Sequence, residues 1–174
     1  MAEVVILIGS DSDIEKMFPA KEFLDGLGIS CIMRITSAHR TVERTKKIVR
    51  EAEKNGCKIF LCGAGMAAHL AGAVAAQTIK LVIGVPLTSG ASPLGGVDAL
   101  LSTVQMPSGM PVATVAINGA KNAAVLAAQI LALNDPALTR KLIDVRKKAA
   151  NAIEAADAKL QQKIKDGSLS KSLK

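Results

Sequence analysis

The chain alternates between short, unbroken apolar runs and longer stretches in which apolar positions recur every three or four residues. The first run, EVVILIG at 3–9, predicts a strand buried on both faces. A helix follows over 12–28, with Met17, Ala20, Leu24 and Leu27 on one face and Ser12 and Glu15 spaced as a capping box. ISCIMRI (29–35) reads as a second strand, and 42–55 as a helix turning Val42, Thr45, Ile48, Val49 and Ala52 inward. KIFLC (58–62) is a third strand, followed by a short Ala-rich helix over 66–77, and KLVIGV (80–85) is a fourth. A loop, PLTSGASPLGG at 86–96, leads to a helical stretch at 97–105. PVATVAI (111–117) makes a fifth strand and 120–133 a helix. Asp135 as N-cap and Pro136 at the first position start a last, long helix.

Strands and helices alternating at these lengths imply an α/β fold, a doubly wound parallel sheet with helices on both faces. Residues 1–134 form one expected domain, and 135–174 a C-terminal helical extension. Between 59 and 134 only Lys80, Asp98 and Lys121 carry formal charge, so a monomer would expose much apolar surface. The last helix carries the stripe Leu138, Leu142, Val145, Ala149, Ile153, Ala156, Leu160 and Ile164, which needs a partner beyond its own domain. A homo-oligomer is expected, with the extension packing on it.

Composition narrows the class. With 49% apolar and 21% charged residues among 174, the chain is globular. Cys31, Cys57 and Cys62 form no C-x-x-C pair and read as reduced thiols. The opening MAEVVILIG is strand-like and not a signal peptide, so a cytoplasmic location is expected. Residues 59–79 lack formal charge over a membrane-spanning length, but GAG, His69 and Gln77 interrupt them, so no membrane span is expected. Net charge is +7, of which +6 lies in 140–174. No aromatic or base-reading motif accompanies that charge, so it reads as a solvated helix face and not a nucleic-acid contact.

In open α/β sheets the ligand sits at the carboxyl ends of the strands. Three such ends carry chemistry. GSDSD (9–13) offers backbone N–H groups, the Ser10 hydroxyl for an anion such as phosphate, and Asp13 for ribose hydroxyls. Helix capping by Ser12 and Asp13 is the other account of this loop. SAHR (37–40) adds Arg40, a fork of donors suited to phosphate, and His39, a proton carrier near neutral pH. A surface arginine and a capping histidine are the alternative. GAGMAAHLAG (63–72) has the spacing of a dinucleotide fingerprint in Gly63, Gly65 and Ala68, but it follows the third strand, and no acid lies about 20 residues on. His69 there could equally be satisfied in an interface or core. Neither histidine has a partner at metal-ligand spacing, so no metal is expected.

Taken together, GSDSD, SAHR, GAGMAAHLAG, VIGVP, VQMPSGMPVATVAI and AKNAAVLAAQIL resemble, in order from about residue 4 to 147, the PurE family of purine biosynthesis. The resemblance implies a flavodoxin-like three-layer sandwich, an octamer, and action on aminoimidazole ribonucleotides without metal or organic cofactor. Arg40, His69 and GVP (84–86) resemble the branch that moves a carboxylate from the exocyclic nitrogen to ring carbon 4, rather than the branch that carboxylates directly with CO2. A non-catalytic nucleotide-binding module of the same fold is the further alternative. On the resemblance, His39 is the general acid and base, and Ser10, Asp13, Arg40, Ser37, Gly65 and His69 bind substrate. The family's usual GAGGAAHLPG is broken twice: Met66 replaces a glycine and adds bulk where the loop should approach substrate, and Ala71 replaces a proline.

Overall fold

The computed structural model describes residues 2–168; residue 1 and residues 169–174, the ends of the two expected domains, lie outside the described residues. Five strands, β1 (Val4–Ile8), β2 (Cys31–Ile35), β3 (Ile59–Gly65), β4 (Leu81–Leu87) and β5 (Ala113–Thr114), form one sheet in the order β2-β1-β3-β4-β5. All four pairings are parallel. This is the flavodoxin-like order, whose switch point lies between β1 and β3. The helices are α1 (Ile14–Leu27), α2 (Val42–Lys54), α3 (Leu70–Ala75), α4 (Val97–Val104), α5 (Ala120–Leu131) and α6 (Pro136–Lys165).

The apolar runs of β1, β3 and β4 are strands buried on both faces. Val5, Leu7, Phe60, Cys62 and Val82 pack with Ile48, Val49 and Ala52 of α2 and Leu70 and Val74 of α3. On the other face Met17 of α1 comes so close to Gly63 that a Cβ there would lie 2.6 Å from its sulfur. α5 buries Ala120, Ala123, Ala124, Ala127 and Ala128, small side chains that let backbones approach closely.

Several expectations are corrected. The capping box does not form: Ser10 caps a 3₁₀ turn over Asp11–Asp13, and Asp13, the N-cap of α1, makes no side-chain cap bond. Val42 is 43% exposed, because it opens α2 before the helix reaches the sheet. β3 runs on through Gly65, where its ladder with β4 ends at Leu87, so α3 starts only at Leu70. β5 pairs over two residues instead of the run 111–117. β2 forms over Cys31–Ile35 at the edge of the sheet, with Ile32 and Ile35 exposed.

The chain divides into two compact units after Ile130. In the second, the Asp135 carboxylate accepts from the Ala137 and Leu138 N–H groups and starts α6, whose 30 residues span about 45 Å. Among the described residues no helix is long and apolar enough to cross a membrane; the run 59–79 is strand, turn and short helix.

Candidate active site

The carboxyl ends of β1, β2 and β3 converge at the switch point. Ser10, Asp13, Ser37, His39, Arg40, Gly65 and His69 all line one cavity of about 430 Å³. A larger hollow of about 930 Å³ lies by the first residues of β4 and β5, at the opposite ends of the strands, and none of these seven lines it.

Each loop is held by its own backbone chemistry. After β2, the hydroxyl of Thr36 lies 2.8 Å from that of Thr45 on α2 and 3.2 Å from that of Thr41. The Ser37 N–H donates to Thr41 Oγ1 at 2.9 Å, and the Arg40 N–H donates to Ser37 Oγ at 3.2 Å. This turn aims His39 toward β3 and Arg40 toward β1. Arg40 Nη2 donates to Gly9 O at 3.3 Å, tying the first loop to the second.

His39 meets His69. Nε2 of His39 lies 2.8 Å from Nδ1 of His69, with the rings nearly perpendicular at 80°. A single proton serves that bond: one ring donates and the other accepts. A second proton on the contact would turn the acceptor into a donor and break it.

The first loop is already engaged. Ser10 Oγ donates to Asp11 Oδ1 at 2.9 Å, so an anion seated on Ser10 must displace that bond. The same bond holds the exposed Asp11 carboxyl below its ordinary range. Asp13 is 8% exposed, and burial pushes its carboxyl above the ordinary 3.8, against the pull of the Lys16 charge and a backbone bond at Ser10. A raised carboxyl penalises the ionised fold. The penalty is absent below the ordinary value, grows as pH rises from there to the folded value, and is constant above it. Asp13→Asn is therefore expected to raise the melting temperature of the free protein at neutral pH and to leave it unchanged at pH values below that ordinary carboxyl range. Thermal denaturation across a pH series checks this; an equal shift at every pH would remove ionisation as the cause.

The third loop depends on close approach. A Cβ on Gly65 would lie 3.1 Å from Leu87 O and 3.4 Å from Ser89 Cβ, so a larger residue there would have to push the end of β4 back by a few tenths of an ångström. Met66 next to it has φ 55° and is 47% exposed. This left-handed backbone is what a glycine adopts freely, and Met66 holds it with a full side chain on the cavity wall. Ala71 is the second residue of α3, where a proline would lose no helical bond.

Sequence reasoning did not assign Ser12 or Ser89 to the site, and both line the cavity, as does Met66, whose bulk it had noted. Ser89 could have been found by applying the strand-end rule to the loop after β4, which was read only as a connection. It missed Ser102 as well, which lies on α4 and accepts the Ala68 N–H at 2.9 Å.

The N5-carboxyaminoimidazole ribonucleotide mutase of Thermotoga maritima is 45% identical over 93% of this chain and 94% of its own. The protein of that name from Escherichia coli K12 is 48% identical over 84% of this chain and 86% of its own. The crystal structure of Treponema denticola PurE superposes with a TM-score of 0.81 at 33% identity, covering 90% of this chain and 97% of that one. The model of the family described as AIR carboxylase matches residues 3–152, and the chain belongs to that family.

Proposed function

We propose that this chain is a mutase of purine biosynthesis that converts N5-carboxyaminoimidazole ribonucleotide to 4-carboxy-5-aminoimidazole ribonucleotide. The carrying observation is the pairing of His39 with His69 in a cavity that also gathers Ser10, Asp13 and Arg40. Relatives named as such mutases, 43% to 50% identical, support the same reading.

In this reading Arg40 and Ser10 hold the phosphate, Asp13 accepts from the ribose hydroxyls, and Ser37 and Gly65 shape the seat. The N-carboxylate is a carbamate. His39 as imidazolium protonates its nitrogen, the N–C bond breaks with its electron pair going to nitrogen, and CO2 is released. Ring carbon 4 then attacks the trapped CO2, and neutral His39 removes the proton from the tetrahedral carbon. One residue thus serves as acid and then as base, while the cavity keeps CO2 at high effective concentration. Neither step calls for a metal or an organic cofactor. Direct carboxylation is the second reading; Arg40 and His69 favour the mutase. Incubating the purified protein with N5-carboxyaminoimidazole ribonucleotide tests the proposal: the 4-carboxylated ribonucleotide should form without added bicarbonate, and no product would refute it.

The enzyme works as a cytoplasmic homo-oligomer, an octamer on the family resemblance. Its exposed apolar residues support assembly. Val97, Leu101 and Val104 form a stripe on α4, and Ile143, Ile153, Leu160 and Ile164 stand exposed along α6. The basic residues of α6 are then the solvated side of an assembly helix. Truncation after Asp135 should give smaller species by light scattering. An unchanged assembly, or tight salt-sensitive DNA binding by the intact chain, would assign α6 another role.

A further inference from the structure

Ser102 lies in the middle of α4 and does not line the cavity. Its hydroxyl accepts the Ala68 N–H at 2.9 Å and lies 3.2 Å from Met66 O, 2.8 Å from Asp98 O and 3.2 Å from Ala99 O. One hydroxyl proton serves three carbonyl oxygens, so the bond that no other group shares is the one it accepts from Ala68. Thr103, the next residue, has its hydroxyl 3.5 Å from Ala68 O. That hydroxyl's one proton goes to Ala99 O at 2.7 Å, so the hold of α4 on Ala68 is the Ser102 bond.

The clamp stands between two features that need it. Before it, Met66 holds φ 55°, a conformation that side-chain-bearing residues adopt at a steric cost. After it, His69 opens α3 and meets His39 at 2.8 Å. Ala68 is only 2% exposed, so without Ser102 its N–H is left buried and unpaired. The turn would then relax, Met66 would return toward negative φ, and His69 would leave His39.

We propose that Ser102 is a positioning residue: it holds the left-handed Met66 turn and, through that turn, the His69–His39 hydrogen bond. The geometry stands by itself, and only the consequence for rate rests on the proposed function. The signature is coupling. Glycine takes positive φ without steric cost, so Met66→Gly should remove most of the need for the clamp.

The test compares the parent, Ser102→Ala, Met66→Gly and the double variant by circular dichroism, mutase kinetics and histidine ¹⁵N spectra without substrate. The chain has two histidines, so a tag-free sample shows these rings alone. In the parent, both rings should show the biased tautomer of a bonded pair. Ser102→Ala should shift them to the free-imidazole mixture and lower kcat by about tenfold or more, with KM changing less than about threefold. In the Met66→Gly background the same change should cost less than about threefold and leave the spectra parent-like. Equal losses in both backgrounds, or unchanged histidine signals in Ser102→Ala, would overturn the proposal. If Ser102→Ala alone does not fold, a folded double variant with parent-like signals supports it, and an unfolded one overturns it. A parent without mutase activity would refute the proposed function, and the spectra would still judge Ser102.

Discussion

His39→Asn should give a protein that folds, assembles and binds nucleotide, yet turns over about 10²–10⁴-fold more slowly. The position tolerates the change structurally. His39 is exposed in the turn after β2, and the Thr36, Thr41 and Thr45 hydroxyls hold that turn without its ring. An asparagine amide can still give or take a hydrogen bond toward His69, but it carries no proton in either step. Loss should therefore fall on kcat, with nucleotide affinity by equilibrium titration close to the parent's. An Asn variant with substantial turnover would remove His39 from the chemistry.

Arg40→Ala should weaken nucleotide binding by about 1.5–3 kcal/mol, or roughly 10- to 150-fold, the loss of a charge-assisted bond. The effect should appear in KM and in Kd more than in kcat, since Arg40 is assigned to the phosphate and not to the carboxylate. Its other contact, Nη2 to Gly9 O, is a single bond of 3.3 Å, so the fold should survive. Arg40→Lys should recover part of the affinity, because a point charge replaces a planar fork. Inorganic phosphate should compete with substrate in the parent and less in the Ala variant. Normal affinity in Arg40→Ala would place the phosphate elsewhere, against Ser10 and the 3₁₀ turn alone.

β1, β3 and β4 were legible in the sequence because burial on both faces leaves an unbroken apolar run, and the alternation with helices implied the parallel sheet. β5 was read too long because PVATVAI has the same composition, yet only Ala113 and Thr114 join the ladder. The capping box looked sound by spacing, and the Ser10 side chain took the capping role one turn earlier. The three strand-end loops were legible one by one. What spacing could not carry was the meeting of His39 and His69, 30 residues apart, which only the switch point between β1 and β3 creates. Met66 stood out as a departure from the family pattern, but its positive φ is a property of the folded turn. Ser102 lies 34 residues beyond Ala68 and belongs to no motif, so its role depends wholly on how α4 packs.

The most direct measurement follows the carboxylate itself. Substrate labelled with ¹³C in the carboxylate on the exocyclic nitrogen is turned over by the parent protein in excess unlabelled bicarbonate, and the product is read by ¹³C NMR. The mutase account predicts the label on the carboxylate at ring carbon 4, because CO2 passes from nitrogen to carbon without leaving the cavity. Product carrying only unlabelled carboxylate would mean that CO2 comes from the bulk pool, and would contradict it.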